Sequence, residues 1–199
     1  MENLSEKKKE AGTNQLTFWQ MLKKHKKYED LYKTIEGNLS IAGGFLIALF
    51  FYFYSLDMVI EDYNELLSDI SFVFIPSLLG LLGIIFAGLT FASGTVSLKA
   101  TEKLFEEKKI GSLVGIFFSF YFAGWLIAIA ILLYVCVFFL GLTSLEVVPI
   151  LVFVFAFIVG YFTLFVIFYT VGLFDTCIKL FFVNYLYNKD NFKEESKDN

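Results

Sequence analysis

The segment "GLLGIIFAGLTFASGTVSLKAT", Gly80 to Thr101, carries two patterns at once. It belongs to an apolar, uncharged run from Ile70 to Leu98. A membrane-spanning helix needs about 20 such residues to cross a hydrocarbon core roughly 30 Å thick. Along the segment, Gly80, Gly83, Ala87, Thr90, Gly94, Ser97 and, just past the run, Thr101 follow one another at alternating steps of three and four. On a helix that spacing forms one continuous stripe. Every residue in the stripe is small or bears a hydroxyl, while Leu81, Leu82, Ile84, Ile85, Phe86, Leu89 and Phe91 fall off it.

Three further uncharged runs extend the pattern: Leu39–Leu56, Ser112–Leu142 and Val147–Phe174. The chain has 199 residues, enough for one domain. It is 57% hydrophobic, beyond the roughly 45–50% of soluble domains. The expected fold class is therefore an all-α membrane protein with four transmembrane helices and an N-terminal amphipathic helix, assembled as an oligomer. A polar segment of 38 residues precedes the first run. That is too long for the charged region of a signal peptide, so the first span is expected to remain as an anchor.

Lysine sets the orientation. Eight of the 16 lysines precede the first run, four (Lys99, Lys103, Lys108, Lys109) separate the second from the third, and four follow the fourth. The other two connections hold only acids: Asp57, Glu61, Asp62, Glu65, Asp69 and Glu146. Lysine near span ends stays in the cytoplasm. Both termini and the middle connection are thus expected to be cytoplasmic, in a bacterial inner membrane.

Residues 1–16 read as a polar tail and 188–199 as another, with the transmembrane domain at 38–187. Between them, 17–37 reads as one amphipathic helix on the cytoplasmic side. Thr17 and Gln20 form a capping box. Phe18, Met21, Leu22, Tyr28, Leu31, Tyr32 and Ile35 recur at helical spacing, and Gly37-Asn38 can end the helix. Lys23, Lys24, Lys26 and Lys27 fall largely off the apolar face, where they would meet the inner leaflet or a polyanion. Docking under the bundle is the alternative. Pro76 and Pro149 are read as early positions of spans two and four, where a proline breaks few helix bonds.

Chemistry-bearing residues are scarce. The one histidine, His25, lies in the leader, and Cys136 and Cys177 sit on different apolar runs without metal or disulfide spacing. No phosphate-binding Gly-Lys motif appears, and no base inside a span could activate Ser93 or Ser97. These observations argue against an enzyme, a metal site or a cofactor. Coupled transporters keep ionisable groups at mid-membrane depth, and these runs hold none.

Two features invite a functional reading. Small-residue faces let membrane helices approach closely, so the Gly80–Thr101 stripe is expected to pack against span three or another subunit. Span three has a comparable face at Ser112, Gly115, Ser119 and Ala123. Alternatively the stripe lines a narrow conduit, which bulky side chains would fill. Asp175 and Lys179, four apart with the acid first, read as a local ion pair, or as part of a charged ring at a cytoplasmic mouth.

With four spans, both ends inside, a basic amphipathic leader and the "GLLGIIFAGLTFASGT" style of span two, residues 17–187 resemble the small four-helix membrane components of bacterial anti-phage defence systems. The Kiwa and Hailong membrane subunits and the transmembrane effectors of cyclic-oligonucleotide systems are of this kind. The resemblance implies a homo-oligomer, with a tetramer as the first guess, that disturbs the membrane on a cytoplasmic cue. Its expected partners are membrane lipids and a cytoplasmic protein, nucleotide signal or oligonucleotide. A structural subunit anchoring a soluble partner or a transporter is the alternative.

The lysine asymmetry makes a direct prediction. Cysteines introduced at Asn64 and Thr143 should react with an impermeant thiol reagent on intact cells, and one at Ser196 should react only after lysis. External labelling of the Ser196 position would overturn the topology.

Overall fold

A computed structural model describes residues 18–24, 27–57, 60–95, 110–143 and 148–195. Two short helices open the described chain, α1 (Phe18–Lys24) and α2 (Asp30–Lys33), with a 3-10 turn at Lys27–Glu29 between them. Four long helices follow: α3 (Ile35–Asp57), α4 (Ile60–Thr95), α5 (Ile110–Leu142) and α6 (Pro149–Glu195). All four are long and apolar enough to cross a membrane.

Their outer surfaces agree with a lipid environment. Phe50, Phe53, Phe72, Leu132 and Ile150 each leave more than 60% of their area outside the fold. A water-facing protein rarely carries so continuous an apolar surface. Inside, a core of Leu78, Ile85, Phe120, Ile127, Tyr134, Phe165 and Val166 joins α4, α5 and α6.

Two antiparallel interfaces dominate, α3 on α6 and α4 on α5, while α6 also touches α4 and α5. The α3–α6 interface is built on missing side chains. Ser40, Gly44 and Ala48 lie at helical steps of four, and all are buried; Gly37, three residues before Ser40, is pressed instead against the Leu31 and Asp30 carbonyls of the leader. A Cβ on Gly44 would stand 2.9 Å from the Tyr161 backbone nitrogen. Gly160 answers from α6, with Ile47 filling the space 3.3 Å from where its Cβ would be. Lipid is as apolar as the core, so this close backbone approach and its dispersion contacts hold the helices together. In the α4–α5 interface, Gly141 is similarly pressed against Asn64 and Ser68, and Gly88 against the Phe120 ring. Phe74 stacks on Tyr134, ring centres 5.0 Å apart.

Polar groups inside the bundle are satisfied locally. Ser40, Ser71, Ser119, Thr163 and Thr170 each donate to the carbonyl four residues back. Thr163 spends its proton on the Val159 carbonyl, so in the buried contact of 3.1 Å between the two hydroxyls Tyr134 donates to Thr163. That bond ties α5 to α6.

Several boundaries differ from those expected. The acidic segment Glu61–Asp69 is not a loop but the first turns of α4. This puts Pro76 inside a 36-residue helix rather than near its start. The Phe72 carbonyl therefore loses the proton that a residue at 76 would give it. Pro149 does open its helix, α6, as expected. Helix α6 continues for 47 residues to Glu195, about 70 Å at 1.5 Å per residue. The 17–37 segment is not one helix among its described residues. The chain breaks at Thr34, whose ψ of 164° is extended, and Gly37-Asn38 lie within the first turns of α3. Residues 1–16, the middle connection at 96–109 and the last four residues lie outside the described residues.

Substituting Gly44 by Ala should lower the thermal unfolding midpoint of the monomer in detergent by several degrees, because overpacking against backbone costs about 1–3 kcal/mol. Gly83→Ala, at a position with open space around it, should leave the midpoint unchanged or raise it, since alanine favours helix. Equal effects at the two sites would overturn this account of the α3–α6 interface.

Candidate functional site

The stripe on α4 faces away from the rest of the chain. Gly80, Gly83, Ala87, Thr90 and Gly94 are all exposed. A Cβ on Gly80, Gly83 or Gly94 would meet nothing within 4 Å. The expectation that this stripe packs on span three is therefore corrected. The opposite face of the same helix, through Ser71, Leu78, Ile85 and Ala92, turns inward to α5 and α6. The reason is bulk. Leu78 and Ile85 supply the atoms that fill the gap to Phe120 and Ile127, and a glycine stripe would leave that gap empty. Ser97 and Thr101, the remaining stripe positions, lie outside the described residues.

Hydroxyls on the stripe are already engaged. Thr90 Oγ1 donates to the Phe86 carbonyl at 2.9 Å, and Ser93, beside the stripe, donates to the Leu89 carbonyl at 2.8 Å. Each keeps lone pairs facing outward but has spent its proton on its own helix. The comparable face of α5 behaves differently, for Ser119 and Ala123 are buried while Ser112 has no described side chain.

Asp175 and Lys179 form an ion pair across one turn of α6. Both side chains are more than half exposed. The pair is local to the helix surface, and its net contribution is on the order of 0.5 kcal/mol or less.

The leader presents its lysines in more than one direction. Lys23 is exposed, and the side chains of Lys24 and Lys26 lie outside the described residues. Lys27 departs from the expected outward position and points at the bundle. Its ammonium binds the Asp30 carboxylate at 2.8 Å and stands 5.9 Å from the centre of the Tyr169 ring. Burial alone would lower its pKa, but Tyr169 and Asp30 outweigh that penalty and hold it above the ordinary lysine value. Leu22 and Leu31 pack against the core. The Tyr161 hydroxyl, from the first third of α6, donates to the Leu31 carbonyl at 2.7 Å. Sequence patterning missed this strap, because a tyrosine within an apolar run looks like any other large aromatic.

Among the described residues, no three His, Cys, Asp or Glu side chains come together as a metal site requires. Cys177 is buried, with its sulfur 3.8 Å from the Gly88 carbonyl, and Cys136 is exposed.

Tyr161→Phe removes the strap while keeping the ring. Its loss, worth about 1 kcal/mol, should raise the rate of tryptic cleavage at Lys27 and Lys33 about fivefold with the bundle still folded. Unchanged cleavage would mean that apolar contacts alone hold the leader.

No family model, curated protein or solved structure matches the chain.

Proposed function

We propose that the protein is a non-enzymatic membrane effector that oligomerises through the α4 stripe and opens a pore or disrupts the bilayer when triggered from the cytoplasmic side. The observation carrying this reading is the outward stripe itself. Three of its glycines face open space, while α4 meets α5 and α6 through a different face. Against lipid, a row of glycines gains little. Against a second copy it permits close backbone approach, and around a central axis it leaves room for water or ions. Thr90 is the hydroxyl-bearing residue among the described stripe positions, where its lone pairs would meet whatever passes.

The leader and the far end of α6 are the natural receivers of a signal, since the leader is bonded to the bundle and both carry charge. The reading places the termini in the cytoplasm of a bacterial cell, on the lysine asymmetry, and assigns the protein to anti-phage defence on the architectural resemblance described above. The triggering partner would be a cytoplasmic protein or a nucleotide or oligonucleotide ligand. A second reading, an accessory subunit that anchors a soluble partner, draws support from the 47-residue length of α6, which extends well past a bilayer.

Thr90→Leu separates these readings. A pore-lining stripe predicts an intact oligomer on native gels with reduced ion flux in liposomes. A packing stripe predicts dissociation, because overpacking costs about 1–3 kcal/mol at each contact. Wild-type protein that conducts no ions, and whose assembly ignores Thr90→Leu, would overturn the effector reading and leave the anchoring subunit.

A further inference from the structure

A cavity of about 180 Å³ lies where the leader meets the bundle. It is bounded by Lys27 and Asp30 of the leader, Glu36 in the first turn of α3, Ser119 of α5, and Tyr169 and Thr176 of α6. Its volume is that of about six water molecules. It is not sealed, for the Lys27 and Asp30 side chains keep 22% and 24% of their area exposed.

The hydrogen-bonding capacity left over in this cavity is of two kinds. Tyr169 is 8% exposed, and its hydroxyl has no hydrogen-bond partner among the described residues. Lys27 and Ser119 line the same cavity near it, without coming within ordinary hydrogen-bond distance. Lys27 spends one ammonium proton on Asp30 and has two to spare. These are donors for an anion. The remaining groups can only accept. Ser119 and Thr176 have given their protons to the carbonyls of Gly115 and Gly172. The Glu36 carboxylate reaches across to α6, with Oε1 3.6 Å from where a Cβ on Gly172 would stand. Gly172 follows Tyr169 by three residues, so their backbones are about one turn apart along α6, and the donor and acceptor groups line the same cavity.

The level of the cavity is equally informative. Along α6, Tyr169 is 20 residues from Pro149, about 30 Å. Along α3, Glu36 is 21 residues from Asp57, about 32 Å. Both distances match one hydrocarbon thickness, which puts the cavity at headgroup depth on the leader side.

We propose that this cavity binds the headgroup of a membrane lipid whose phosphate ester is joined by a two-carbon link to a primary ammonium, an ethanolamine-type headgroup. The phosphate is met by Tyr169 and Lys27, and the ammonium by Glu36, Ser119 and Thr176. The cavity already holds two carboxylates, Asp30 and Glu36, against the one ammonium of Lys27, so a purely anionic headgroup would add a further uncompensated negative charge, whereas an ammonium-bearing one brings its own cation. A choline headgroup has no N–H to give the three acceptors. It also calls for an open aromatic face, and Lys27 already stands over the Tyr169 ring. Bound lipid would bridge the leader, α3, α5 and α6. The inference needs the chain to lie in a bilayer but not to form a pore, so it stands or falls separately from the proposed function.

The test is native mass spectrometry of the full chain released from nanodiscs of mixed ethanolamine, choline and glycerol phospholipids. Wild-type protein should retain the ethanolamine lipid preferentially. Tyr169→Phe keeps the ring against Phe122 and Phe165 and removes only the hydroxyl. Glu36→Gln removes the negative charge. Each should reduce that retention about tenfold, the worth of one hydrogen bond to a charged group, whereas Glu65→Gln at the other end of the bundle should not. Circular dichroism confirms that each variant is folded. Equal retention of choline and ethanolamine lipids, preference for the glycerol lipid, or indifference to both variants would overturn the proposal. So would displacement of the lipid by an equal concentration of free O-phosphoethanolamine, which would make the ligand a soluble one.

Discussion

Contact between the backbones of α3 and α6 governs how this chain is arranged. Helix α3 has one extensive partner, α6, and the approach at Gly44 and Tyr161 leaves no room for a side chain. Water is not available to drive these helices together, so dispersion across a tight seam must do it. Because α3 is fixed there, the leader that precedes it is fixed as well. Leu31 comes within reach of Tyr161, Lys27 comes over Tyr169, and Glu36 lies against Gly172. A one-turn slip of α3 would displace all three contacts together by about 5.4 Å.

Hydrogen bonding plays a narrower role. Most hydroxyls inside the bundle are turned back onto their own helix, which satisfies them without a partner element. Two hydroxyl bonds do cross between helices, Tyr134 with Thr163 and Tyr161 with Leu31. One joins two spans and the other joins a span to the leader. Each is directional in a fold otherwise held by shape, so each fixes a register that packing alone would leave freer.

Much of this was legible from the residues. Four uncharged runs of spanning length became α3 to α6, and the opening role of Pro149 followed from its place after a polar connection. The choice of seam did not. Gly80, Gly83, Ala87, Thr90 and Gly94 attract attention because the stripe is long, yet the chain buries the shorter row Gly37, Ser40, Gly44 and Ala48. Both rows run at helical steps of three and four. In a soluble protein the polar face would mark the outside, but a bilayer makes both faces of a span apolar and removes that contrast. The second row could have been found by the same search, starting two residues before the span. The first turns of α4 were missed for a related reason. Five acids over Glu61–Asp69 and their flanks read as a loop, although helix propensity permits glutamate throughout. Pro76 was misplaced as a consequence. The cavity beside Tyr169 was not legible at all, because it gathers residues from three spans and the leader, and only the fold brings them together.

One feature has mechanical meaning. Helix α6 runs unbroken from Pro149 to Glu195, and no glycine or proline follows Gly172. A rod about 70 Å long pivots as a unit. A tilt of about 10° around its midpoint sweeps each end sideways by about 6 Å, more than one helical pitch. Helices α3, α4 and α5 all rest on the spanning half of that rod. A force applied to its far end therefore acts on every span through leverage, without any hinge in the chain.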